Sequence, residues 1–157
     1  MADSRPAPGP VRAVLLGTLA VGLLDGGFAI IRAATKGVSA ERVLQSIAAG
    51  LLGRPAYEGG TTTALAGAGL HFFIAGTVVL TYFLASRRLG VLTERPLLAG
   101  AVYGAGVFVV MNFVVIPLSA ISVGPRSLSQ MIPGILIHIF GVGLPAALAA
   151  RAVPRSS

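Results

Sequence analysis

The side chains best suited to chemistry are four strongly polar residues that lie inside long apolar stretches: Asp25, His71, Asn112 and His138. A carboxylate can hold a cation or a proton, histidine gains and loses a proton near neutral pH, and an amide can bridge donors and acceptors. Such groups are costly in hydrocarbon and nearly always face the interior of a helix bundle, where they pair. What the four can do depends on whether the chain spans a membrane and on whether they meet.

The composition indicates a membrane protein. Hydrophobic residues make up 55% of the chain and charged residues 11%, whereas a soluble domain carries roughly 25% charged residues. A soluble globular domain and a disordered chain are therefore both excluded. The 12 basic residues are scattered singly or in pairs, unlike the clustered face of a nucleic-acid-binding protein. The sequence predicts the lipid bilayer as the main partner and no nucleic acid.

Apolar runs predict the elements that must position the four residues. A helix needs about 20 residues to cross the hydrocarbon core, and four runs are long enough. They predict membrane-spanning helices over residues 12–33, 62–86, 97–120 and 128–150. We expect residues 1–10 and 152–157 to be disordered and the whole chain, 1–157, to form one integral membrane domain.

Residues 39–53 differ from the four apolar runs. Apolar side chains recur there at helical spacing, and polar side chains occupy the other side of the helix. Ser39 suits an N-cap, Glu41 lies in the first turn, and Gly53 and Pro55 end the helix. The segment is too short to span. It is expected to form an amphipathic helix in the membrane interface, with an extramembrane helix packed on the bundle as the alternative. The predicted fold is all-α: a four-transmembrane-helix bundle with one short amphipathic interfacial helix between helices 1 and 2.

The number of spans sets the depth of the polar residues. Four spans put both termini on one side, which we name side A, and the opposite face is side B. Seven basic residues fall on side A and five on side B, which favours cytoplasmic N and C termini. At 1.5 Å per residue, all four polar residues lie roughly 10–15 Å below side B. The sequence therefore predicts one ligand or proton site there, with Glu41, Gln45 and Glu58 at its mouth.

Other interpretations of the same residues stay open. His71 and His138, on different helices at one depth, could ligate a non-covalent haem b in an electron carrier, although no cofactor is expected. With Asp25 they could hold a divalent metal, but no metal-binding spacing accompanies them. The polar residues could also serve only to fix the register of the helices.

Glycine-rich helix faces indicate where helices can pack closely, within the chain or against another protein. Gly22 and Gly26 form one GxxxG pattern, and Gly100 and Gly104 form another. Small residues let transmembrane helices approach closely, so these faces serve packing within the bundle, a homo-oligomer, or assembly with another membrane protein. Walker A, GxGxxG, GxSxG and HExxH motifs are absent from the sequence, which argues against an enzyme.

The order of features in the middle of the chain resembles that of YagU-like small bacterial inner-membrane proteins. The resemblance covers roughly residues 66–121 and rests on Leu70-His-Phe-Phe, Ser86-Arg-Arg, Leu98-Ala-Gly-Ala and Asn112-Phe-Val-Val-Ile-Pro-Leu-Ser. It implies the bacterial cytoplasmic membrane and supplies no catalytic residues. The function expected from the sequence is the binding or passage of a small cation, proton or small molecule.

Overall fold

A computed structural model describes residues 8–121, 124 and 127–154, and these residues form helices and turns only. The α-helices, in chain order, are α1 Pro10–Ala34, α2 Ala40–Leu52, α3 Gly60–Arg88, α4 Val91–Glu94, α5 Pro96–Val110, α6 Leu128–Ile137 and α7 Leu144–Arg151. A 3₁₀ turn, Arg54–Tyr57, follows α2. Two π-helical segments complete the fold: Met111–Val115 continues α5, and His138–Gly143 joins α6 to α7.

Among the described residues, four helices are long and apolar enough to cross a membrane, as the sequence predicted. They are Pro10–Ala34, Gly60–Arg88, Pro96–Val115 and Leu128–Arg151. The third ends about five residues earlier than the predicted 97–120, because the chain turns at residues 116–118 and Pro117 has no N–H to continue a helical ladder.

The described structure extends beyond the predicted spans at both ends of the chain. Pro10 is the first residue of α1, where its fixed φ favours a helix start, so the disorder expected over 1–10 does not reach it. At the other end, the Ala152 N–H donates to the Leu148 carbonyl at 3.1 Å and Val153 is buried. The prediction of a disordered tail from 152 is therefore wrong for 152–154. Residues 1–7 and 155–157 lie outside the described residues.

Neighbouring spans pack antiparallel, with small residues at the contacts. Gly17 of α1 lies against Val79 of α3 and Ala149 of α7. The buried core is made mostly of small side chains, including Ala146 and Ala147 at 0% exposure. Leucines and other large apolar side chains point outward along every span, as expected where lipid rather than water surrounds the bundle.

Both GxxxG patterns are used inside the chain. A Cβ at Gly22 would overlap the Phe72 ring, and one at Gly26 would lie 2.9 Å from His71 Nε2. In α5, a Cβ at Gly100 would lie 2.9 Å from the Gly143 carbonyl oxygen, and Gly104 packs against the backbone of the fourth span. These four glycines pack helices within one chain. Other glycines in the interior of the spans have open space beside them: Gly27, Gly69 and Gly106.

The predicted amphipathic helix is present as α2. The Ser39 hydroxyl accepts a hydrogen bond from the Arg42 N–H at 3.2 Å, and Gly53 ends the helix at φ 68° and ψ −161°, a conformation that favours glycine because it has no Cβ. Ala48 and Ala49 are buried. They pack towards α3, where Gly67 leaves room for the α2 backbone. The Ala120 N–H donates to the Gly50 carbonyl at 2.9 Å, so α2 is fastened to both halves of the bundle.

Candidate ligand-binding cavity

All four polar residues singled out from the sequence line one cavity of about 350 Å³. The cavity lies between α1, α2, α3, the π-helical end of α5 and α6. Most of its other lining side chains are aliphatic or aromatic, and the additional polar ones are Arg32, Ser46 and Gln130. A mostly apolar hollow with a few converging polar groups is the usual form of a small-molecule site.

Asp25 and His138 lie beside each other in this cavity. Asp25 Oδ1 lies 3.9 Å from His138 Nδ1, and their side chains are 26% and 17% exposed. His138 Nδ1 is also 2.9 Å from the Gly134 carbonyl oxygen. Because a carbonyl can only accept, Nδ1 carries the proton, and the neutral ring has its lone pair on Nε2. At 3.9 Å the carboxylate is beyond hydrogen-bond distance, so it keeps its capacity to accept from a bound group.

His71 is oriented by α1 in a similar way. Its Nε2 donates to the Gly22 carbonyl oxygen at 2.9 Å, so in the neutral ring the lone pair lies on Nδ1. Gly26 makes this position possible, since any Cβ there would crowd Nε2. The glycines of α1 therefore serve to seat a histidine as well as to pack two helices.

Asn112 lines the same cavity but lies nearer to side B. Its Nδ2 donates to the Phe108 carbonyl at 2.9 Å, and the Phe108 ring packs edge-on against the His138 ring at 5.4 Å. Asn112 follows Phe108 by one helical turn, which is about 5.4 Å of rise. The sequence predicted that the four polar residues lie at one depth in the membrane. Asn112 departs from that depth by about one helical turn relative to Phe108, whose ring packs on His138.

Both π-helical segments carry a residue of this site. Asn112 lies in Met111–Val115, and His138 begins His138–Gly143. A π turn widens the helix and rotates the following side chains, and such turns are common at functional sites. The second π turn is followed by Pro145, which has no N–H to donate to residue 141. The wider turn accommodates the proline and presents His138 to the cavity.

The predicted mouth residues do not line the cavity. Gln45 is 5% exposed and donates from Nε2 to the Gly60 carbonyl at 3.1 Å, so it ties α2 to the start of α3. Glu41 and Glu58 are exposed. The face of α2 that reaches the cavity is a different one: Val43, Leu44, Ser46 and Ile47.

A second, more open cavity lies on the other side of the Asp25–His138 pair. Its volume is about 580 Å³, and it shares Asp25, Arg32, Ser46 and His138 with the first while adding Lys36. Sequence reasoning missed Arg32, although it follows Asp25 by two helical turns and so shares its face of α1. Its Nη2 donates to the Gln130 carbonyl at 3.0 Å, which joins the first span to the fourth at the cavity.

Towards side A the first cavity is closed. Its wall at that end includes Val78 and Val142. The next layer is tightly packed: Val79 and Tyr82 are each 1% exposed, and the Tyr103 hydroxyl donates to the Val78 carbonyl at 2.8 Å. Any route from the cavity to side A would therefore have to cross this packed layer.

Two observations concern the residues considered for haem or a metal. His71 Nε2, the usual iron-ligating atom, is occupied by the Gly22 carbonyl. Within residues 8–121, 124 and 127–154, no group of three His, Asp or Glu side chains is placed to hold a metal ion.

Comparisons with protein-family models, curated proteins and solved structures find no match. In the part of the chain that the structure describes, four long apolar helices are those of a multi-pass membrane protein, and the cavity lies between them.

Proposed function

We propose that this membrane protein binds a small cation, a proton or a small protonatable molecule in the cavity, which is entered from side B. Asp25 bears the charge, and His138, His71 and Asn112 are its partners. The observation that supports the proposal most strongly is the state of Asp25: a half-buried carboxylate that receives no hydrogen bond from the described residues and lies where two cavities meet.

A carboxylate inside a helix bundle carries a free-energy cost. Burying an ionised group without a partner is strongly unfavourable, and residues of this kind within membrane spans generally serve an ion or proton path. A cation or proton at Asp25 relieves that cost. The His138 nitrogen that lies 3.9 Å from Asp25 already carries a proton, so the second site for a proton in this pair is His138 Nε2, which holds the lone pair of the neutral ring.

The shape of the cavity sets the size and route of the ligand. A volume of about 350 Å³ is at the lower end for small-molecule sites, which run from about 300 Å³ upward. Passage to side A requires the layer of Val79, Tyr82 and Tyr103 to separate. Binding is therefore the first step, and passage is a second step that depends on this layer.

The membrane and the orientation belong to the same proposal. The resemblance over residues 66–121 supports the bacterial cytoplasmic membrane, and the excess of arginine on side A supports cytoplasmic termini. We place α2 in the side-B interface, because Leu51 and Leu52 are 71% and 54% exposed while the opposite face packs on α3. The chain has no cysteine, so single introduced cysteines and a membrane-impermeant thiol reagent test this placement directly.

Two measurements on one preparation test the function. In proteoliposomes loaded with a pH-sensitive dye, an imposed membrane potential should drive proton entry faster than in empty vesicles. Calorimetric titration with sodium, potassium and ammonium ions tests binding without passage. Asp25→Asn should abolish both signals, whereas Glu94→Gln, an exposed acid on α4, should leave them unchanged. Absence of flux and of binding heat in the unmodified protein would refute the proposal.

A further inference from the structure

A separate groove lies at the side-A end of the bundle, between α3, α4 and α5. Its volume is about 360 Å³, and its walls include Ala85, Leu92, Leu98, Val102 and the rings of Tyr82 and Tyr103. It shares no residue with either cavity at side B. A ligand of this groove therefore binds apart from the site proposed above, although Tyr82 and Tyr103 also belong to the layer that passage to side A would cross.

The polar groups in the walls are already engaged. The Tyr82 hydroxyl donates to the Leu92 carbonyl at 2.9 Å, and the Tyr103 hydroxyl donates to the Val78 carbonyl at 2.8 Å. The Thr81 hydroxyl donates to a carbonyl of its own helix at 2.7 Å. Each hydroxyl proton is thus used within the protein, and the groove presents apolar surface to an occupant.

One charged residue stands at the end of this apolar surface. Arg95 lines the groove and is exposed. It directly precedes Pro96, the first residue of α5. Leu98 and Val102 follow it at intervals of one helical turn. The groove is therefore charged at its outer end and apolar over the next 10 Å or so towards the bilayer centre, roughly the rise of seven helical residues. Arg88, exposed at the end of α3, adds positive charge at this end, against the single acid Glu94 on α4.

We propose that the groove binds an anionic phospholipid, with one acyl chain along the apolar wall and the phosphate on Arg95. A guanidinium forms two parallel hydrogen bonds with a phosphate, and the net positive charge beside the groove favours an anionic over a zwitterionic headgroup. One well-placed basic residue near an anionic membrane surface corresponds to a preference of about fivefold. The groove depth matches this occupant, because its charged end lies at the end of a membrane span, where headgroups lie.

The tyrosines of the protein can report lipid binding to the groove through their fluorescence. It has no tryptophan and three tyrosines, two of which line the groove. In the Tyr57→Phe variant, all tyrosine fluorescence comes from those two. Brominated acyl chains quench this fluorescence when they lie in the groove. Brominated phosphatidylglycerol and brominated phosphatidylcholine are compared at equal mole fraction in vesicles, and the stronger quencher is the lipid that the groove prefers.

We expect phosphatidylglycerol to quench the more strongly, with an apparent association constant about fivefold higher. Arg95→Gln should remove this difference, Arg95→Lys should keep most of it, and Arg54→Gln, an exposed arginine on side B, should keep all of it. Equal quenching by the two lipids in the Tyr57→Phe protein would overturn the proposal. So would a preference that survives Arg95→Gln in a variant whose circular dichroism is unchanged.

Discussion

Replacing Gly104 with alanine should destabilise the bundle, whereas the same replacement two residues later, at Gly106, should not. Both glycines lie in the interior of α5. A Cβ at Gly104 would overlap the His138 carbonyl and lie 2.8 Å from Ile139 Cα, while a Cβ at Gly106 would meet nothing within 4 Å. The two variants therefore share the chemical change and differ only in the space it has to occupy.

The difference in the free energy of unfolding between the two variants depends on helix propensity and on overpacking. Alanine is more favourable than glycine inside a helix by roughly 0.5–1 kcal/mol, and this gain is common to both variants. Ordinary Cβ contacts lie at 3.4–4 Å, so at Gly104 the two helices must separate by several tenths of an ångström or more. Overpacking of this kind costs about 1–3 kcal/mol. Because the helix term cancels, Gly104→Ala should be less stable than Gly106→Ala by about 1–3 kcal/mol.

Unfolding in mixed micelles of dodecyl maltoside and increasing dodecyl sulfate, followed by circular dichroism, measures this difference. Gly106→Ala should unfold at a slightly higher dodecyl sulfate fraction than the unmodified protein, and Gly104→Ala at a lower one. If the two variants unfold together, the close approach of α5 to the fourth span is not as described. The same test bears on the cavity, since the displaced backbone at Gly104 is that of His138.

Three smaller perturbations have equally definite outcomes. Tyr103→Phe removes the hydrogen bond to the Val78 carbonyl and should lower the free energy of unfolding by about 1 kcal/mol; an unchanged midpoint would contradict that contact. Gln45→Leu removes the bond to the Gly60 carbonyl and should speed hydrogen exchange throughout α2 by about fivefold, and exchange at the unmodified rate would count against α2 being held there. Ser39→Ala should cost about 1 kcal/mol of helix stability and speed exchange in the first turn of α2, whereas Ser39→Asp should not.

The spans were predictable because hydrocarbon imposes a simple rule. Every backbone polar group must be satisfied within the segment, so an apolar run of sufficient length becomes a helix. Counting along antiparallel helices then brings Asp25 and His138 to a similar depth, and the structure places them 3.9 Å apart. The amphipathic pattern of 39–53 predicted α2 for the related reason that caps and periodicity are local signals.

The remaining features depend on contacts that local signals do not encode. The face that α2 turns to the cavity is set by its packing on Gly67 of α3, and this contact buries Gln45 instead of leaving it at a mouth. The π-helical segments differ from α-helix by one shifted hydrogen bond, and the apolar runs around Asn112 and His138 give no sign of it. Arg32 ended an apolar run in the sequence, and only the bundle shows that it reaches the fourth span through Gln130.

The separation of Asp25 from His138 along the chain has a consequence for biosynthesis. About 110 residues lie between them, and at about 5–20 residues per second the ribosome needs on the order of ten seconds to deliver the histidine after the carboxylate. During that interval the first span enters the bilayer with its acid lacking the imidazole that later lies beside it. A nascent chain that stops before the fourth span keeps its first-span acid without that imidazole, so an unfinished copy carries an intramembrane carboxylate that only the complete bundle can place beside a histidine.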